Sequence, residues 1–551
     1  MAEIALGAVT LLREVFLLSK FVAQTARSAS RHQTEREALQ AELDYEHLYI
    51  RSFGLLFFRV NGQFVEHDGL NREWLEKVAW ILDGLRLAFA DYAKLAGEKD
   101  DEYRQKSPFL NTALQTQPDS GLQLSDLFSN TGTFISTQAI TSPQHPEDQD
   151  HKYRPSPSVA FDWKWALFEK KKLGQIVDSS RKWTHKLKEL VQLTMVANPR
   201  FGTLSSTRLL QETGAEEARI LGVSTHLRVR EVNLDPLSIE GDNSLSLDAR
   251  LDFPAHTTTL CLAQMNDDGA TCDVLVETKE MSTKSRPEEE RRVKQLAALL
   301  SVAGDSDLST LSFKGYKFEP SRGTFAFVFD FPPDRLRSAP TSLHDIISRP
   351  RSVWSGLTLS QRFYVAQSIS KSLVSMHAAK WVHKSFRSHS IVFFKRLDST
   401  VDYRSPYLTN FEYSRATSSI TQWTSDEDDE KNLYRHPDRQ LPPQKSFNQI
   451  HDLYALGMVL LELGTWSTIA KIKNSLQERV GKDTFLNPET LADYYADVAE
   501  RELPHHMGPA YAEAVLLCIR GNFGFSPNDQ EFPLRVYDLV IKQLDPSNLV
   551  E

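Results

Sequence analysis

The stretch from Leu373 to Gly464 constrains this chain more than any other. "SLVSMHAAKWVHKSFRSHSIVFF" reads as a helix, a tight loop and a short strand, and "YLTNFEYSRA" supplies a second strand and a turn. "YRHPDRQ" follows, and then "HDLYALGMVLLELG". Leu453, Leu456, Val459, Leu460 and Leu463 recur there at helical spacing, a pattern that suits a buried helix.

The order of these parts resembles the catalytic half of a protein kinase: catalytic loop, metal loop, end of the activation segment and buried central helix of the C-lobe. In that family the loop is H-R-D-x-x-x-x-N, whose Asp takes the substrate proton and whose Asn holds a magnesium ion. This chain carries His383, Lys384 and Ser385, with Ser390 at the Asn position, and the D-F-G motif aligns with Asn410, Phe411 and Glu412. A serine hydroxyl is a poor proton acceptor without a base of its own. The neutral amide of Asn410 is a weaker partner for a hard cation than a carboxylate. His383 and Asp452 match the positions that brace the loop from within the C-lobe, and Phe411 and Pro437 stand at further structural positions of the pattern. The resemblance therefore implies a pseudokinase, degenerate at Ser385, Ser390 and Asn410. The competing reading is another fold with a chance HxS and NFE.

At 551 residues the chain suggests two or three domains, and 40% hydrophobic with 25% charged residues is ordinary for a globular protein with substantial cores. A net charge of -9 gives no general case for nucleic acid. The cysteines, Cys261, Cys272 and Cys518, form no CxxC pair, which fits a reducing compartment and argues against a disulfide scaffold or a zinc site. The N-terminus shows no basic leader or obvious cleavage site, so no secretory signal is expected.

Glu3 to Ala26 reads as one amphipathic helix. Ile4, Ala8, Leu11, Val15, Leu18 and Val22 fall on one stripe, widened by Ala5, Val9, Leu12 and Phe16. Arg13, Glu14 and Lys20 interrupt it, short of the ~18 apolar residues of a spanning helix. It is either a core helix of a bundle or one that can leave the bundle for a membrane. Helices are expected over 34–60 and 70–95, the latter with Trp74, Val78, Ile81, Leu85, Phe89 and Tyr92 on one face. The Ser-, Thr-, Gln- and Pro-rich stretch 107–158 reads as a long mobile loop. Between Asp162 and Arg200 nine Lys or Arg, among them Lys170, Lys171 and Lys172, stand against four acids, near +5.

This N-terminal helix, "AELDYEHLYIRSFG" and "WALFEKKKLGQIV...LKELVQL" resemble the fungal HET-s/LopB (HeLo) domain over roughly 1–200. The resemblance implies an all-helical bundle over 1–204 that acts in regulated cell death. Ile4, Val9, Leu12, Phe16 and Lys170 to Lys172 would then be its membrane-facing residues. No C-terminal amyloid-forming repeat is visible, so the family's prion behaviour is not expected here.

Residues 205–224 read as a connecting helix, and 225–551 as the kinase-like part, with an N-lobe over about 225–332 and a C-lobe over about 340–551. "TTLCLAQM" and "CDVLVETKEM" flank Asn266-Asp267-Asp268-Gly269, a hairpin signal. Lys279 in "VLVETK" lies close to the V-A-I-K strand of kinases and is the candidate nucleotide-phosphate contact. A surface lysine is the plainer reading. In the next helix, Pro287 to Ser301, Arg292 stands where a pairing Glu belongs, and Glu288 or Glu289, one turn earlier, could substitute. No G-x-G-x-x-G precedes Lys279, so ordinary phosphate cradling is unsupported and ATP stays an open question. "TFAFVFDFPP" resembles the strand leading to the interlobe hinge. Asp426 to Glu430 form an acidic run, read as a solvated loop or as a contact for the basic helix.

The expectation is thus an α+β multidomain protein, an all-α helical bundle followed by a bilobal kinase-like domain. Its expected function is that of a catalytically inactive sensor fused to a HeLo-type effector in fungal cell-death signalling. By fold-level analogy the arrangement is similar to mixed-lineage kinase-like necroptosis effectors. Expected partners are an anionic membrane surface, a protein partner or upstream receptor, and further copies of the chain on activation, with no nucleic acid. No cofactor is expected with certainty, and the location is cytoplasmic with movement to the plasma membrane. Two other readings stay open: a non-enzymatic adaptor, and an atypical ATP-dependent kinase using Glu412 or another acid.

Overall fold

The computed structural model describes residues 2–28, 33–57, 72–97, 170–197, 219–223, 244–254, 260–267, 269–280, 286–303, 308–349, 356–378, 380–411, 414–416, 429–440, 445–481, 484–527, 529 and 532–545. The expected loop over 107–158, Glu412 and most of the connecting helix lie outside these residues. The protein is an α+β multidomain chain. It divides into two compact units, Met1–Val191 with Arg208–Leu221, and Gln192–Thr207 with Gly222–Glu551.

The first unit is helical among its described residues. α1 (Ala2–Ser28) packs against α2 (Gln33–Phe57) and α3 (Arg72–Gly97), and α4 (Lys170–Ala197) follows. The stripe read from the sequence is buried at Ala8, Val15, Leu18 and Val22. Leu12 and Phe16, read as its margin, are fully buried while Leu11 is half-exposed, so the packed face is turned toward Leu12. Tyr49, Phe53 and Phe57 of α2 and Trp74, Val78, Leu82, Leu85 and Phe89 of α3 complete the core. One polar pair sits within it: Ser19 Oγ lies 2.8 Å from His47 Nδ1 and donates to the Phe16 carbonyl at 2.9 Å. At Gly84 of α3 a Cβ would overlap the Trp183 indole of α4, so the close approach requires glycine.

The second unit opens on an antiparallel sheet of β1 (Arg250–Asp252), β2 (Cys261–Asp267), β3 (Ala270–Glu280), β4 (Phe313–Glu319) and β5 (Thr324–Asp330), in the order β1-β2-β3-β5-β4. The hairpin between β2 and β3 turns at Gly269, whose φ of 87° favours glycine, and its N–H donates to Asn266 Oδ1 at 3.2 Å. Period-two alternation puts Leu275, Glu277 and Lys279 of β3 on one face and Val274 and Val276 on the other. The Leu275 face joins a core with Val293, Leu296, Ala297 and Leu300 of α5 (Arg286–Ala303), and with Phe325, Phe327 and Phe329 of β5. Ala249 and Phe253 cover Val274 and Val276 on the other.

The rest of the unit is largely helical. β6 (Thr341–Ser342) leads into α6 (Leu343–Ser348) and α7 (Leu359–Ala378). β7 (Trp381–Val382), β8 (Ile391–Phe393), β9 (Tyr407–Leu408) and β10 (Arg415–Ala416) are short, with β7 paired to β10 and β8 lying between β6 and β9. After α8 (Asp429–Asn432) come α9 (Gln449–Thr465), α10 (Ile469–Val480), α11 (Pro488–Met507) and α12 (Pro509–Arg520). Every residue of α9 except Ile450 is buried, against α7, α11 and α12. An all-round apolar helix must sit at the centre of its domain, and this one does. Among the described residues no single helix is long and apolar enough to cross a membrane. α9 and α10 pass that test as a pair bent by 83°, but burial explains the apolar character of α9.

Candidate functional site

The site is built around one carboxylate at the start of the buried helix. Asp452, in the first turn of α9, accepts the His383 N–H at 2.8 Å and the Lys384 N–H at 2.9 Å, and lies 3.1 Å from His377 Nε2. Burial opposes its ionisation, but the His377 hydrogen bond, the histidine charges and the His383 N–H outweigh that and hold its pKa below the usual value. Lys384 takes the left-handed conformation at φ 67° that this double acceptance imposes on the loop. The His383 ring is held neutral, its pKa lowered to about 4 by burial against the opposing pull of Asp452. It packs on Phe411 with ring centroids 4.9 Å apart. His383, Phe411 and Asp452, chosen from the sequence as structural residues, therefore form one connected set.

The three degenerate positions differ in what they do. The Ser385 N–H donates to His383 Nδ1 at 3.3 Å, and among the described residues its Oγ makes no hydrogen bond. Ser390 is spent on its own turn: Oγ donates to the Arg387 carbonyl at 2.7 Å and accepts the Arg387 N–H at 3.0 Å. Its carbonyl accepts Thr409 N–H at 2.8 Å, which ties this turn to the next loop. Asn410, at φ 65°, is buried and donates its N–H to Glu277 Oε2 at 2.9 Å.

Glu277 is the functional candidate that sequence reasoning missed. The β3 side chain that reaches the Asn410 loop is this buried glutamate, two residues before Lys279. Glu277 and Lys279 share a face, so the strand pattern alone could not choose between them; "V-L-V-E" was the signal. Lys279 lies half-buried near the end of β3, opposite Phe325. Beside the Lys279 expected to contact phosphate, an acid two residues earlier on the same face meets the Asn410 loop. In α5, Glu288 faces outward to Arg292 at 3.5 Å, while Glu289 turns inward and is buried, its Oε2 without a hydrogen-bond partner. The three groups here are a carboxylate at Glu277, a neutral amide at Asn410 and a hydroxyl at Ser385.

A second polar network joins Ser388 of the turn to α9. Tyr434 Oη donates to Glu462 Oε1 at 2.8 Å and lies 3.0 Å from Ser388 Oγ, and Ile469 N–H donates to the same Glu462 oxygen at 2.9 Å. Burial pushes the Glu462 pKa up to about 7. Pro437 opens the single turn Pro437–Arg439, where His436 Nδ1 accepts the Asp438 N–H at 3.1 Å and Lys445 pairs with Asp438 at 2.9 Å.

The expected membrane residues lie in the first unit. Leu12 and Phe16 are buried and Val9 is half-buried, while Ile4 and Lys170 to Lys172 lie in helices with side chains outside the described residues. Part of the positive charge of α4 is engaged within the bundle: Arg181 pairs with Glu42, and Lys186 Nζ lies 4.9 Å from the ring centre of Trp80 and 4.7 Å from that of Trp183. No curated protein matches the chain. Residues 280–546, from the end of β3 to the last described helices, match the family model of a domain of unknown function (DUF7580), and over that span the chain is similar to this family.

Proposed function

We propose that residues 225–551 form a bilobal kinase-like domain that has lost phosphoryl transfer, and that it restrains a HeLo-like helical effector over 1–204. The observation that carries the kinase-like part is Asp452 accepting the N–H groups of both His383 and Lys384, with Phe411 against His383. That is the bracing expected if these residues hold a kinase loop. Loss of activity is supported by Glu277 at the Asn410 loop, where a lysine would pair with phosphate, and by Ser385 and Ser390 in place of base and metal ligand. A buried carboxylate repels the triphosphate that the lysine would attract. Weak or no ATP binding is therefore expected, with little dependence on magnesium.

The effector part is supported by the amphipathic α1 and by α3, where Trp80 and Leu87 remain exposed and Lys186 lies over the Trp80 ring. A Trp with a Lys head over it suits a membrane interface. The reading places the protein in fungal cell-death signalling, with anionic lipid, an upstream protein and further copies of the chain as its partners.

The test is phosphoryl transfer from labelled ATP by the full chain, with a thermal shift under magnesium and ATP. No transfer above a Glu277→Ala control and no magnesium-dependent shift are expected. Transfer that Asn410→Ala abolishes would restore the atypical-kinase reading. A silent protein that also ignores anionic vesicles would leave the adaptor reading.

A further inference from the structure

We infer that His344, His389 and Glu430 form a binding site for a divalent transition-metal ion of the zinc type. The three residues come from separate elements: α6, the turn Ser388–Ser390 and α8. Each offers one ligand atom, and these atoms lie within 4.8 Å of one another. The two imidazoles stack with centroids 3.8 Å apart, and His389 Nε2 lies 3.3 Å from Glu430 Oε1. His344 Nδ1 is buried and has no hydrogen-bond partner, a cost that a bound ion or its ligand water would remove.

The donor set selects the ion class. Two imidazoles and one carboxylate suit zinc and its neighbours, and three protein ligands leave a position for water. Ligand atoms around a tetrahedral zinc stand about 3.3 Å apart, so the set must close slightly and the rings must turn out of their stack. Glu430, with a half-exposed side chain, has room to follow. The cysteine count spoke against a zinc site, but it bears only on thiolate sites.

The other histidine cluster, His436, Asp438 and His451, is equally compact but already occupied. His436 Nδ1 accepts the Asp438 N–H, His451 Nδ1 accepts the Asn448 N–H at 2.9 Å, and Lys445 neutralises Asp438. A metal at His344, His389 and Glu430 would fasten the end of the acidic run, Asp429–Glu430, to the turn holding Ser388 and Ser390. It would thereby join the segment after the Asn410 loop to the site itself.

The experiment uses the full chain without a polyhistidine tag, stripped of metal, titrated with zinc by calorimetry and with cobalt by visible absorption. One ion per chain is expected, with cobalt giving the absorption of a four- or five-coordinate site. Glu430→Gln and His344→Gln should each weaken zinc at least about tenfold, and His436→Ala should leave it unchanged. Glu430 is half-exposed, so its variant decides the matter even if the histidine variants fold poorly. No zinc uptake, uptake unaffected by Glu430→Gln, or uptake lost in His436→Ala alone would overturn the assignment.

Discussion

Glu462 and His383, both fully buried, pull the stability of the second unit in opposite directions with pH. The folded His383 pKa is about 4 against an ordinary 6.5, so the unfolded chain takes the proton first and stability is lost as pH falls from 6.5 toward 4. His451, lowered to about 3 by burial, acts in the same sense. The folded Glu462 pKa is about 7 against 4.5, so its contribution is present below 4.5 and is lost as pH rises through 7. Replacing Glu462 by Gln removes only the second effect. Between pH 5 and 7.5 the variant should gain on the natural protein by up to roughly 3 kcal/mol, as read by urea denaturation at each pH; parallel profiles would show that Glu462 ionises freely. Asp452→Ala should cost about 3–5 kcal/mol, because it leaves two N–H groups and His377 without their acceptor in a buried site. Its urea midpoint is the check, and a loss under 1 kcal/mol would mean that the loop is held otherwise. At this scale the sequence showed the bracing set, because His383, Phe411 and Asp452 stand in a recognisable order. It did not show Glu277, Glu462 or the His344–His389 stack, since those depend on which distant segments meet.

Elements with strong periodicity were legible to within a few residues. The expected helix over Glu3 to Ala26 is α1 at Ala2–Ser28, and that over Pro287 to Ser301 is α5 at Arg286–Ala303. α9 was legible for the same reason, its apolar residues leaving no face for water. Of the short strands, β8 and β9 fall where "SIVFF" and "YLTNFEYSRA" read as strands, while β6, β7 and β10, two residues each, are set by pairing across the chain and carry too little pattern to be read. The crossing of α3 and α4 was equally hidden, because a single glycine decides it. Gly84→Ala should destabilise the first unit by about 1–3 kcal/mol, since the added methyl meets the Trp183 ring and must displace it. Trp183 is also stacked edge-on to Trp80 at 4.8 Å, so near-ultraviolet circular dichroism should report the shift. An unchanged spectrum and midpoint would show that the indole moves freely.

For the whole molecule, the proposed effector role asks the apolar face of α1 to be buried in one state and lipid-facing in another. Leu12 and Phe16 are fully buried, so opening the bundle forfeits roughly 1.5–3 kcal/mol for each side chain before lipid restores it. A charge at Leu12 would break the resting bundle as well as any inserted state, because an unpaired carboxylate there has no solvent. Val9 is half-buried and separates the two effects. The fragment 1–225, which contains the whole first unit, should leak vesicles of anionic lipid more than the full chain does. Val9→Glu should lower that leakage at least severalfold while circular dichroism stays helical. Salt should weaken binding, though less steeply than a charge of +5 suggests, because Arg181 is already paired with Glu42. Equal leakage by fragment and full chain would remove the restraint and keep the effector. A folded fragment that leaves anionic vesicles intact would remove the effector itself, and the kinase-like unit would then be a docking module whose partner is a protein.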